Sequence, residues 1–98
     1  MGQEAGTGVS ELRERIREIT LRIVDLMAER ERLVRELAAL KTAAGEAPFN
    51  PEVERELRRA VTARAAELGV DADLVRRVLT LLLRRSTEVQ TRSTGGQG

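Results

Sequence analysis

Residues 12–40 read LRERIREITLRIVDLMAERERLVRELAAL, and this stretch decides the fold. Leu12, Ile16, Ile19, Ile23, Leu26, Leu33, Leu37 and Leu40 recur at alternating spacings of four and three, and Arg30 fills the remaining place in the series. That spacing is a heptad seam, the pattern by which one helix buries its face against another. Val24, Met27, Val34 and Ala38 widen the seam into a broader apolar face. The spacing predicts a helix from about Ser10 to about Thr42. Ser10 is the expected N-cap, with Glu11 and Glu14 in the positive first turn. Its expected length is roughly 48 Å at about 1.5 Å per residue.

Working outward, the punctuation sits where the periodicity stops. Gly45, Pro48 and Pro51 interrupt the chain after the seam, so 43–49 reads as a loop. Asn50 then caps a second helix, with Pro51 at its first position and Glu52 and Glu54 in its first turn. Val53, Leu57, Val61 and Leu68 carry its face, and Gly69 ends it. Asp71 caps a third helix reaching about Gln90, with Leu74, Val75, Val78, Leu79, Leu82 and Val89 expected to face inward. Six of the eight glycines fall near the ends, so 1–9 and 92–98 are expected to be disordered tails around a helical domain over 10–91. No stretch reads as a strand. Two helices of about eighteen and twenty residues cover the long one only by folding back along it. An incompletely covered seam predicts an all-α, intertwined homodimer of three-helix chains.

Composition removes whole classes of chemistry. The 98 residues contain no Cys and no His, which excludes disulfides, Ser-His and Cys-His pairs and ordinary zinc sites. Seventeen basic against sixteen acidic residues, with Phe49 the only aromatic, argue against nucleic acid as a partner. No apolar run has the length of a membrane span and no charged-then-apolar signal segment opens the sequence, so a cytoplasmic protein without membrane contact is expected. Sixteen of the basic residues are Arg, and Lys41 is the one Lys.

Most charges lie off the seam and form a solvated face with i,i+4 pairs such as Glu18 with Arg22. A few polar residues fall on apolar rows instead. Arg30 stands between Leu26 and Leu33, where a guanidinium either snorkels out or finds a partner. Lys41 borders the row of Met27, Val34 and Ala38, where it complements the helix dipole or does work that needs a compact ammonium. Ser86 and Gln90 extend the row of Val75, Leu79 and Leu82, and Glu54 borders the stripe of Val53, Leu57 and Val61. Arg13 lies about 25 Å up the helix from Arg30, so the two share a site only across an antiparallel dimer. Cations, a carboxylate, an amide and a hydroxyl around an apolar interior suit a small dianion bearing a hydroxyl group. With no nucleophile and no metal ligand set, the fitting reaction is one that needs only binding, conformational restriction and charge stabilisation.

The order and spacing of Leu12-Arg13-Glu14-x-Ile16, Ala28-Glu29-Arg30, Lys41, Asn50-Pro51 and Ser86-x-x-x-Gln90 resemble the all-helical AroQ-type chorismate mutases over about 12–90. That resemblance implies an intertwined dimer converting chorismate to prephenate in phenylalanine and tyrosine biosynthesis, with no cofactor. It also implies roles. Arg30, with Arg13 of the partner chain, resembles the clamp on the two substrate carboxylates. Lys41 resembles the cation on the ether oxygen and one carboxylate, and Gln90 the neutral donor to the same oxygen. Ser86 resembles the hydroxyl contact to a carboxylate, Glu54 the acceptor for the substrate hydroxyl, and Asn50 the residue in place of the family's Asp in the substrate-binding segment.

The sequence departs from the family at the second helix. The family pattern Asp-Pro-x-Arg-Glu reads Asn50-Pro51-Glu52-Val53-Glu54 here, which puts Val where Arg is expected. A two-residue shift brings Arg55-Glu56 into register instead. The ungapped reading keeps Ser86 and Gln90 at their spacing from Lys41 and is preferred. Three rival functions share the pattern: an isochorismate pyruvate-lyase on the same scaffold, a non-catalytic helical dimerisation module, and a mutase that depends on a partner enzyme of the shikimate pathway.

Overall fold

The structure is a computed structural model that describes residues 2–95, with side chains over 8–92. It contains three helices, α1 (Gly2–Ala44), α2 (Pro51–Leu68) and α3 (Ala72–Gly95), and no strand among the described residues. Two compact units divide it, 1–32 and 33–98. The first is the helical stretch of α1 up to Arg32. The second holds the last turns of α1 together with α2 and α3.

Helix α1 starts upstream of the expected cap. Its span begins at Gly2, eight residues before Ser10. Ser10 therefore lies inside α1 and does not cap it. At the other end α3 continues beyond Gln90 to Gly95. Met1 and 96–98, and the side chains of 2–7 and 93–95, lie outside the described residues, and all of these fall within the two expected tails.

The stops and starts between helices follow from local chemistry. Gly45 (φ +72°) and Gly69 (φ +69°) adopt the left-handed conformation that ends α1 and α2. At Gly69 the Val70 amide donates to the Ala65 carbonyl at 2.9 Å, and the Gly69 amide donates to Ala66 at 3.3 Å. At Gly45 the Glu46 amide donates to the Lys41 carbonyl at 2.9 Å, and the Gly45 amide donates to Thr42 at 3.2 Å. Both are Schellman motifs, which satisfy otherwise orphaned carbonyls. Asn50 caps α2 as expected, its Oδ1 accepting from the amides of Glu52 and Val53 at 3.0 and 3.3 Å. Asp71 caps α3 through Oδ2, which accepts from the Leu74 amide at 2.9 Å.

Helix α2 packs on α3. Ala38, Ala65, Leu79 and Val89 form the buried apolar core. Several residues expected to face inward are exposed instead: Val53, Leu57 and Leu68 on α2, and Leu74 and Val78 on α3. They lie on flanks of the helix pair that no described residue covers. The heptad seam of α1 is open as well, with Leu26 at 61% and Leu40 at 70% exposure.

Candidate active site

The second unit gathers Lys41, Ser86 and Gln90. Lys41 occupies the last turn of α1, and its backbone carbonyl anchors the Schellman turn that starts the loop. Its half-buried side chain returns to the same loop, where Nζ donates to the Pro48 carbonyl at 3.0 Å. Nζ also lies 3.5 Å from Gln90 Oε1, joining residues 49 positions apart in the chain. An ammonium only donates, so the amide oxygen of Gln90 must face it and the NH₂ points away. Ala38, Thr42, Glu46 and Pro48 close around this pair and leave a cavity of only about 10 Å³.

Ser86 sits one turn before Gln90 on the same row of α3 and is buried at 9% exposure. Its hydroxyl donates to the Leu82 carbonyl at 3.0 Å. The polar residues that interrupt the apolar row of α3 thus lie inside the packed unit.

Helix α2 contributes Glu54, half-buried, while Glu56 is exposed. Glu56 lines an open depression on another face of α2 with Glu52, Val53, Arg55 and Arg59. Glu54 Oε1 accepts from Arg58 Nε at 3.3 Å and from Arg58 Nη2 at 3.1 Å. Asn50 spends its side-chain oxygen on the helix cap, which leaves its NH₂ for any ligand.

Arg13 and Arg30 belong to the first unit. Arg13 is exposed, and Arg30 is half-buried on a seam whose apolar neighbours Leu26 and Leu33 are exposed. Two features of the site were not expected from the sequence. The Pro48 carbonyl gives no residue-type signal, because every residue carries a carbonyl. Arg58 was visible in principle, since it stands at i+4 from Glu54 and helical residues at that spacing are neighbours.

Comparison with known families resolves what this helical arrangement is. The family described as chorismate mutase type II matches residues 12–91, most of the sequence. The chain belongs to this family. A chorismate mutase is an isomerase, and the family implies chorismate as substrate. No curated protein and no solved structure matched the chain. For this chorismate mutase-family chain, no group of residues among those described is arranged to hold a metal ion, and no described helix is long and apolar enough to cross a membrane.

Proposed function

We propose that the protein converts chorismate to prephenate by Claisen rearrangement, at the branch leading to phenylalanine and tyrosine, in the cytoplasm. The single observation that carries the reading is the meeting of Lys41 and Gln90, from α1 and α3, 3.5 Å apart beside buried Ser86. The contact brings an ammonium and a carboxamide from separate helices to one place, and both groups can donate to an oxygen that gains negative charge.

The chemistry asks little else of a protein. The rearrangement is concerted: the ether C–O bond breaks as a new C–C bond forms, and no proton or covalent intermediate is required. The site must hold the compact conformer of the substrate and stabilise charge growing on the ether oxygen. Lys41 Nζ supplies that charge stabilisation, and Gln90 adds to it once its carboxamide turns its NH₂ toward the ether oxygen. Each such donor in a water-poor pocket is worth roughly 3 kcal/mol. The cavity of about 10 Å³ does not hold the substrate, so the substrate displaces the Pro48 carbonyl from Lys41 as it binds. The half-buried state of Glu54 and the exposure of Glu56 favour Glu54 as acceptor for the substrate hydroxyl. Ser86 and the Asn50 NH₂ complete the polar lining.

The carboxylates need a clamp, and the arginine fork fits one. Arg30 supplies it in our reading, with Arg13 from a second copy of the chain. The open apolar seam of α1 supports a homodimer that covers that seam.

The test is purified protein mixed with chorismate, following its disappearance and the product. Prephenate is the expected product. Pyruvate release from isochorismate would replace this reading with a lyase, and no turnover of either compound would replace it with a dimerisation module.

A further inference from the structure

We infer that Arg58 is a positioning residue of the active site, holding Glu54 so that one carboxylate oxygen stays open to the substrate hydroxyl. The inference rests on the reading of Glu54 given above.

The geometry is specific. Both Nε and Nη2 of Arg58 donate to the same oxygen, Oε1 of Glu54. Two bonds from a rigid fork to one oxygen fix that oxygen and leave Oε2 as the free acceptor. The order also favours the pair, because a carboxylate one turn N-terminal to a cation on a helix is the better orientation.

The pair also differs in setting from the ion pairs of Arg17, Arg76, Arg77 and Arg85. The Glu54 carboxylate side chain is 26% exposed, whereas the acidic partners of Arg17, Arg76, Arg77 and Arg85 are 54 to 62% exposed. A solvated pair of this spacing contributes little. A pair withdrawn from water orients its members more firmly. Arg58 also borders the recess between α2 and α3 with Val61, Ala65, Val75 and Leu79.

Position 53 supplies the reason such a device is needed. Val53 offers no cation beside Glu54, and Arg55 lines the depression on another face of α2. Arg58, one turn further along, is the cation that reaches Glu54. It supplies from position 58 the positive charge that Val53 lacks.

The experiment compares chorismate with an analogue lacking the ring hydroxyl, for the wild-type protein, Arg58→Ala and Arg58→Met. Met keeps an apolar stem against the α2–α3 recess and serves if the Ala variant does not fold. Arg58→Ala or Arg58→Met is expected to lower kcat/KM for chorismate about tenfold and to leave kcat/KM for the deoxy analogue unchanged. The double variant Glu54→Gln with Arg58→Met is expected to be no slower than Glu54→Gln alone. Arg77→Ala, which removes an exposed pair, serves as the control. An equal loss on both substrates, no loss on chorismate, or losses that multiply in the double variant would each overturn the role of Arg58. Failure of the wild-type protein to turn over chorismate would overturn the proposed function itself and this role with it.

Discussion

Lys41 is the one Lys among seventeen basic residues, and it stands where three constraints meet. It lies in the last turn of α1, anchors the following turn through its carbonyl and meets Gln90 through its ammonium. A guanidinium is wider than an ammonium and spreads its charge over a planar fork, so it does not present the same point charge. Lys41→Ala is expected to lower kcat by about 10²–10³, the loss typical of one charge-stabilising donor. Lys41→Arg is expected not to restore it. Steady-state kinetics on chorismate check both. Gln90 sets a different expectation. Its amide does not titrate, so the wild-type rate should change little around neutral pH. A Glu at 90 donates only when protonated, so Gln90→Glu should lose rate as pH rises toward neutral and recover it in acid. A pH profile for that variant parallel to wild type would count against Gln90 as a donor. The side chains of Lys41, Ser86 and Gln90 were legible in the sequence because polar residues on apolar rows stand out. The Pro48 carbonyl was not legible, because a backbone acceptor carries no residue identity.

At the scale of the elements, the two left-handed glycines do the same structural work but hold different things. Gly69 joins α2 to α3, whereas the Gly45 turn returns a hydrogen bond to the carbonyl of Lys41. Open space surrounds both, so an added methyl meets no neighbour and the cost is conformational. Gly45→Ala and Gly69→Ala are each expected to lose about 1–2 kcal/mol of stability, the penalty of a left-handed residue with a Cβ. Thermal unfolding should show similar shifts for the two. Only Gly45→Ala is expected also to lower turnover, because it loosens the loop that holds the Lys41 ammonium. Equal turnover losses in both variants would remove the loop from the mechanism. The caps at Asn50 and Asp71 and the stop at Gly69 were readable from residue type, since each meets a fixed backbone need. The start of α1 was not readable in the same way. Ser10 has a cap's residue type with Glu11 and Glu14 behind it, yet the helix already runs through the residues before it.

For the whole molecule, the seam is the unresolved force. Leu12, Ile16, Ile19, Ile23 and Leu26 follow a heptad spacing and are all exposed, an apolar stripe that soluble single chains seldom present to water. The sequence foretold the stripe and also overstated the inward face of α2 and α3, for one reason. Periodicity reports which side of a helix is apolar, and it does not report which chain covers that side. A second copy laid antiparallel covers the stripe and brings Arg13 of one protomer toward Arg30 of the other, which lies about 25 Å away along its own helix. In the proposed homodimer each of two sites takes Arg30 from one protomer and Arg13 from its partner. Arg13→Ala and Arg30→Ala are each expected to lose nearly all activity when prepared alone. Mixed, unfolded and refolded together, half the dimers should carry one variant of each kind. In such a dimer one site keeps both arginines and the other loses both. The mixture should therefore regain about a quarter of the wild-type activity, a consequence of two-fold symmetry. Recovery should track the heterodimer fraction measured by native mass spectrometry. Heterodimers without activity would place both arginines of each site on one chain, and the shared clamp would be wrong.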